Sequence, residues 1–400
     1  AATVTGYHGP GGDVAIPSQL GGAPVTAIGE GCFSGCLSLT SLVIPQGVAC
    51  IGQSAFLNCR ELTRVTIPAT VSDIGLWAFY HCNQLTQIAV DEKNEVYASL
   101  DGVLLSKDGT QLVRYPAGRL TDSYTVPDGV AVIGRWALES SANLVSVTLP
   151  DSLIRIEDSA FENCIGLTSM ALPDSVQTVE GVAFSGCTSL MSIRLSQNMT
   201  GIGQSTFAHC TSLTSLVIPD SVTYLDIYAF AFCSSLTSVA LPESLIMIDE
   251  SVFSGCSNLT EIVVPDKVKK IVNGAFADCE ALQRVVIPQS VTDIGTDAFE
   301  HCPQLKLYGY SSSQAERYAL DNDIPFVVLD QAENPRGDVN ADGSIDAQDA
   351  LLVLQHSVKL VTVDSLDIAD VDQNSMVDAC DALLILQKSV GLIADFSAAE

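Results

Sequence analysis

The feature that most constrains this chain is a 23-residue period. Phe33, Phe56 and Phe79 lie 23 residues apart, and after a gap of 59 residues Leu138 takes the same place. Phe161, Phe184, Phe207, Phe230, Phe253, Phe276 and Phe299 follow at the same interval, giving 11 units in one register. Every unit carries a Leu six residues after this position, from Leu39 to Leu305. A short apolar strand comes next, as in Leu42-Val43-Ile44 or Val285-Val286-Ile287, and in most units a Pro ends it (Pro45, Pro68, Pro150, Pro173, Pro219, Pro242, Pro265, Pro288). A second apolar pair, such as Val71 and Ile74 or Val291 and Ile294, precedes the next Phe. One such coil cannot bury its own apolar face, whereas stacked coils bury each other's, so a period of this length specifies a solenoid. The strands stack about 4.8 Å apart in a parallel sheet, and Pro closes each strand because it cannot donate to the ladder.

Ten cysteines fall three residues after the repeat Phe: Cys36, Cys59, Cys82, Cys164, Cys187, Cys210, Cys233, Cys256, Cys279 and Cys302, with Ser141 in the remaining unit. A ladder of identical neighbours defines no pairs, so the spacing predicts small buried free thiols rather than disulfides. A Cys32–Cys36 bridge is the one alternative. His81, His209 and His301 each precede a ladder cysteine. Asn58, Asn163, Gly186 and Asp278 fill the same place elsewhere, so a variable corner position explains these histidines better than a Cys-His dyad or zinc site.

Hydrophobic residues make up 47% of the 400, enough for a large core, and 18 basic residues face 47 acidic ones. The net charge of −29 opposes nucleic acid and anionic membrane, which both require a basic footprint, and suits a secreted cation-binding protein. No apolar run is long enough for a transmembrane helix. The chain opens Ala-Ala-Thr-Val without Met, positive n-region or apolar h-region, and reads as one whose leader was removed or trimmed away.

The array resembles the BspA-like leucine-rich repeats over residues 1–329, on motifs such as Ser290-Val-Thr-Asp-Ile-Gly-Thr-Asp-Ala-Phe-Glu-His-Cys302. The resemblance implies an α/β-type leucine-rich repeat solenoid, a parallel sheet of 23-residue coils. Residues 91–127 look like the family's hairpin insertion, with Tyr97 to Leu105, a turn at Lys107-Asp108-Gly109 and Leu112 to Tyr115. A Gly-rich lead-in strand from Thr3 to Ile28 opens the array. A cap over 307–329 closes it, with Ser311 to Ser313 as N-caps for a helix from Gln314 to Leu320 and a last strand from Pro325 to Leu329. The outward strand positions are small (Ser146, Thr148, Ser169, Ala171, Ser192, Ser215, Val217, Ser238) and lack aromatic rows, which favours a protein or peptide ligand over polysaccharide. Trp77 and Trp136 each lie two before the repeat position, at a turn, where core packing and exposure are equally compatible with the pattern.

A linker over 330–336, broken by Pro335 and followed by the breaker Gly337, leads into Asp338-Val-Asn340-Ala-Asp342-Gly343-Ser344-Ile-Asp346-Ala-Gln-Asp349. Oxygen side chains stand at loop positions 1, 3, 5, 9 and 12, Gly at 6 and an apolar residue at 8, the calcium-loop pattern, with the Ser344 carbonyl at position 7. The pattern recurs 32 residues on, with Asp370, Asp372, Asn374, the carbonyl of Met376, Asp378 and Asp381 as ligands. Two Ca²⁺ ions are expected. Ser375 replaces the turn Gly, at a cost of roughly 1 kcal/mol for a left-handed residue, so the second site is expected to be the weaker. The helices that follow are near copies, Asp349-Ala-Leu-Leu-Val-Leu-Gln-His-Ser-Val358 and Asp381-Ala-Leu-Leu-Ile-Leu-Gln-Lys-Ser-Val390. Pro335 and Gly337 forbid an entering helix, and position 12 is Asp rather than Glu, so neither loop is a full helix–loop–helix hand.

Duplicated loop-then-helix units with Asp at position 12 resemble the dockerin modules of cellulosomes, a small all-α calcium-binding fold, here over 337–394. That resemblance implies a cohesin module of a scaffoldin as partner, calcium-dependent folding, and recognition through loop positions 10 and 11 and the exiting helices. In this chain those positions are Ala347, Gln348, Leu351, Leu352, Gln355 and His356 in the first copy, and Ala379, Cys380, Leu383, Leu384, Gln387 and Lys388 in the second. The family's frequent Ser-Thr pair at positions 10 and 11 is missing from both copies, which implies a cohesin of another specificity group, and the near-twofold symmetry lets either helix face it. Packing between the two helices must claim some of the apolar residues. The reading that follows is a non-catalytic, secreted or cell-surface binding or structural subunit tethered to a cellulosome-like assembly. The alternatives are an adhesin for host or microbial surface proteins anchored by the dockerin, and a polysaccharide-degrading enzyme. The last requires paired carboxylates in a cleft; Glu139, Glu157, Glu162 and Glu180 are present, but a solenoid's convex face offers no evident cleft.

Overall fold

The computed structural model describes residues 1–329, 336–340, 344–363, 366–393 and 396. The chain forms two compact units, Ala1–Val327 and Val328–Glu400.

In the first unit the 23-residue period becomes coil geometry. Each coil carries a three- to five-residue strand after its Leu and a two-residue strand before its Phe, as in Glu261–Val263 and Lys270–Ile271. Partners lie one period apart in parallel register, such as Ser169 with Ser192 and Ile271 with Ile294. The central Leu, Ile, Val or Met of these strands points inward, while Val43, Val217 and Val263 face out; the expected outward residues, from Ser146 to Ser238, are exposed. Turns, rather than helices, join the strands. The repeat Phe rings form two buried columns, Phe33 to Phe79 and Phe161 to Phe299, interrupted where Leu138 takes the repeat position; in the second, neighbouring centroids are 5.0–5.5 Å apart and planes 3–8° apart. Tyr7 stacks on Phe33 and Tyr318 meets Phe299 edge-on, so an aromatic ring closes the outer end of each column.

All thirteen cysteines are free, so Cys32 and Cys36 form no bridge. The nine ladder thiols from Cys59 to Cys302 each donate to the carbonyl of the repeat Phe or Leu one coil back, 3.0–3.3 Å away. The residue before each ladder position has a left-handed backbone in all 11 units, from Gly35 and Asn58 to His301. That conformation explains the run of Gly, Asn, Asp and His there, because these residues tolerate positive φ best. The three histidines have separate uses: His81 bonds Glu139 at 3.0 Å, His209 stacks on Phe232, and His301 bonds Asp278 at 2.8 Å.

The structure corrects the reading of the gap. Tyr115 lies 23 residues before Leu138, is buried like the repeat Phe, and donates its backbone N–H to Ala137 as Phe56 does to Ala78. It therefore heads a twelfth coil, whose strand Ser123–Thr125 pairs in register with Ser146–Thr148. Residues 123–127 thus belong to the repeat and not to the insertion. Nor is the insertion a single hairpin. Asp101-Gly102, both at positive φ, breaks the expected run Tyr97 to Leu105 into two strands, Tyr97–Leu100 and Val103–Ser106. A third strand, Gln111–Arg114, completes a meander and continues into the parallel ladder beside Val132–Ile133. The core divides here: Leu104 packs with the first coils, Val103 and Leu105 with the later ones. Between them Arg114 pairs with the fully buried Glu139 at 3.0 Å.

The ends match their roles as caps. The lead-in is more than one strand: Ala2–Val4 and Gly12–Ala15 extend the two ladders, and a small hairpin, Gln19–Leu20 with Ala23–Pro24, lies between ladders. At the far end α1 (Gln314–Asp321) is N-capped by Ser313, and the strand Phe326–Val328 adds to the last sheet.

Candidate metal centre

In the second unit α2 (Ala347–Ser357) and α4 (Ala379–Ser389) pack on each other, with a short α3 (Leu366–Ala369) between them in sequence. Their core is Ala350, Val353, Ala369, Val371, Ala382 and Ile385.

Each acidic loop is built into the start of its helix. Loop position 9 is the N-cap and position 12 is the third helical residue, and together they form a capping box: Asp346 with Asp349, and Asp378 with Asp381. The position-12 carboxylate also reaches back over the loop. Asp381 Oδ1 accepts from Val371 N at 2.8 Å and Asp372 N at 3.3 Å, and its Oδ2 accepts from Asp378 N at 2.8 Å. Asp349 repeats this with Val339, Asn340 and Asp346 at 2.7, 2.9 and 2.9 Å. A short Asp suits position 12 because its carboxylate ties the loop's two ends to the helix start.

The donor set fits a hard cation. Ligand oxygens of Asp370, Asp372 and Asp381 lie within 4.8 Å of one another. Asn374 sits over the same turn, donating its backbone N–H to Asp370 and Asp372, and its side-chain oxygen accepts from Met376 N at 2.8 Å. Burial, together with the neighbouring Asp372 charge, pushes the Asp381 carboxyl above its usual range despite three backbone donors. Among the described residues no basic side chain forms an ion pair with these three carboxylates, so a divalent cation would relieve their mutual repulsion. The Met376 carbonyl and Asp378 complete the expected set. In the first loop Asp338 and Asp349 are fully buried, Asn340, Ser344 and Asp346 are described, and Asp342 with Gly343 lies outside the described residues, as do linker residues 330–335 and residue 394. Ser375 holds φ 68°, the left-handed turn expected at position 6, and Gln373 beside it holds φ 62°.

The recognition candidates divide by exposure. Ala347, Gln348 and Leu351 are exposed, as are Ala379, Cys380 and Leu383. Leu352, Gln355, Leu384 and Gln387 are half-buried, and Leu384 packs on the helix–helix core. His356 and Lys388 have contacts inside the module: His356 Nδ1 accepts from Val363 N at 3.1 Å, and the Lys388 ammonium lies 4.4 Å from the Phe396 ring centre. Sequence reasoning missed Leu354 with Val358, and Leu386 with Val390, which are exposed and continue each stripe. The spacing 347, 351, 354, 358 and its copy 379, 383, 386, 390 is one helical face. The sequence shows that stripe but not that the neighbouring one, through Ala350 and Val353, is the buried face.

Comparison with known proteins agrees with this division of the chain. Residues 20–99, 119–236 and 200–322 match the family described as BspA type leucine rich repeat region, in six copies, and residues 336–388 match the dockerin type I domain. The chain belongs to the BspA-type leucine-rich repeat family and carries a C-terminal type I dockerin module. Both are non-catalytic kinds of module, and type I dockerins bind calcium. The chain is similar to a leucine rich cell surface protein of Faecalibacterium prausnitzii, at 30% identity and TM-score 0.51, over 79% of this chain and 92% of that one. It shares its fold with a leucine-rich repeat protein of Eubacterium ventriosum, at 22% identity and TM-score 0.54, over 72% of this chain and 82% of that one. No curated protein matches the chain. No helix among the described residues is long and apolar enough to cross a membrane.

Proposed function

We propose that residues 337–394 bind two Ca²⁺ ions and then dock on a cohesin module of a scaffoldin, tethering the leucine-rich repeat solenoid to a cellulosome-like assembly outside the cell. The solenoid serves there as a non-catalytic subunit that presents a surface to protein or substrate. The observation that carries the reading is the coupling of loop to helix. Asp381 both converges with Asp370 and Asp372 and closes the capping box of its helix, Asp349 closes the same box in the first copy, and each helix exposes a matched apolar stripe, Ala347-Leu351-Leu354-Val358 and Ala379-Leu383-Leu386-Val390. Exposed apolar stripes on a small acidic module are candidates for burial by a partner. Because the stripes are copies, either can engage the partner.

The test is a pull-down of the full chain on a panel of cohesins of different specificity groups, with calcium and with EGTA. At least one cohesin retains the chain in calcium and releases it in EGTA. Leu351→Asp or Leu383→Asp alone leaves binding, and the double variant abolishes it. Retention by no cohesin sinks the proposal.

A further inference from the structure

The meander opens a cavity of about 270 Å³ in the solenoid, between the turns at 75–80 and 134–136 and the strand Gln111–Arg114. This is a cleft where the repeat pattern alone gave none. Three aromatic rings form one wall. Trp77 and Trp136 lie 5.4 Å apart at 55°, and Tyr80 stands edge-on to Trp136 at 6.4 Å. Trp77 is 38% exposed, and the other two are half-buried. Gln111, Arg135 and Glu157 supply planar polar groups around them.

The repeat itself provides the control. Trp77 and Trp136 occupy the left-handed corner two residues before the repeat position, with φ 59° and 54°. The same position holds Gly31, Ser54, Ser159, Ser205, Ser251 and Gly274 in six other units and Val182, Tyr228 and Asp297 in three more, so stacking the coils needs no Trp there. The chain has two Trp residues in all, and both are in this cleft. Behind them Arg114, which also lines the cavity, is 5% exposed. Its two terminal nitrogens bond the Phe79 and Trp136 carbonyls and Glu139, but its Nε–H is buried with no acceptor among the described residues. That nitrogen is sealed from the cavity, so Arg114 holds the wall in place and the polar contacts open to a ligand are those of Gln111, Arg135 and Glu157.

We propose that this cleft binds a neutral sugar ring of a glycan. The C–H faces of a pyranose stack on flat aromatic rings, and its hydroxyls suit the amide, carboxylate and guanidinium groups at the rim. The volume falls just below the usual range for ligand sites, about 300 Å³ and up, which fits one ring and not a bulky group. Two guanidiniums at the site oppose a quaternary ammonium, and a net charge of −29 opposes a polyanion. An extended peptide would require a free ladder, yet the backbone here is already paired, as in Gly134 N to Leu112 O and Ala78 N to Gly75 O. The site does not depend on the docking proposal, and its failure would leave that proposal intact.

The test titrates the calcium-loaded full chain with cellohexaose, xylohexaose and mannohexaose and follows tryptophan fluorescence, which here reports on the cleft alone. At least one sugar gives a saturable change that EGTA leaves in place. Trp77→Ala and Gln111→Ala each weaken binding roughly tenfold. If Trp77→Ala lowers the melting temperature, Gln111→Ala and Arg135→Ala on the rim decide. The proposal is overturned if none of the three sugars changes the emission, if the rim variants bind as tightly as the parent, or if tetramethylammonium competes the sugar away.

Discussion

At the residue scale the ladder cysteines show how repetition turns a reactive side chain into a packing unit. Burial raises the thiols of Cys82, Cys164 and Cys233 from the ordinary 9.0 to about 12. Stability therefore falls between pH 9 and about 12, because the unfolded thiols ionise first and the unfolded state then binds fewer protons. Below pH 9 this contribution is fully present. Chemical denaturation at stepped pH checks the window, and native-state labelling with a thiol reagent should reach Cys380 first and the buried ladder only on unfolding. Free thiols were legible from the ladder. The left-handed corners were not, because the hint lay in residue types spread across 11 units rather than in any one of them. Ser375 is the opposite case, since its φ of 68° follows from its loop position alone. Ser375→Gly should tighten the second calcium site by about 1 kcal/mol, a few-fold in affinity, measured by calorimetry against the parent. No change there would mean that Ser375 carries no strain.

At the scale of elements, the meander and the twelfth coil are where sequence reading stopped. Tyr115 replaces Phe, Gly118 replaces Cys and Thr121 replaces Leu, so the three markers that define the register are absent, while Pro127 and the pair Val130 and Ile133 keep their places. The backbone partner Ala137 and the strand pairing of Ser123–Thr125 reveal the coil. The Asp101-Gly102 turn was readable, since Asp-Gly between apolar residues favours a hairpin, but the neighbouring Asp108-Gly109 carries the same signal. Arg114 and Glu139 lock this junction in place. Arg114→Ala takes the guanidinium from a buried carboxylate that keeps only His81 and Ser140 beside it, and should cost about 3 kcal/mol in denaturant unfolding. A double change to Arg114→Met and Glu139→Leu should restore most of it, and a double variant no more stable than the single would contradict the pairing account. In the C-terminal unit the capping boxes join metal site to helix. Asp381→Ala removes an expected ligand, one half of the capping box and the acceptor for three backbone N–H groups at once, so it should lower helix content as well as calcium affinity.

At the scale of the whole molecule, two architectures with different sources of stability share one chain. The solenoid rests on two columns of rings, closed at their outer ends by Tyr7 and Tyr318, and on coils that bury one another. Among the described residues the dockerin module has a core of six buried hydrophobic residues and brings the carboxylates of Asp370, Asp372 and Asp381 together, little apolar burial to offset such repulsion without a cation. Both were legible because each repeats itself: a 23-residue period in one, a 32-residue copy in the other. The aromatic cleft was not, because it is the one place where the repeat is interrupted. The most direct test of the docking account is a Ca²⁺ titration of the metal-stripped full chain, followed by calorimetry and far-ultraviolet circular dichroism together. It should show two ions bound, the second more weakly, with helical signal rising as they bind. Helicity unchanged from the metal-free to the saturated chain would contradict the claim that calcium builds the docking face.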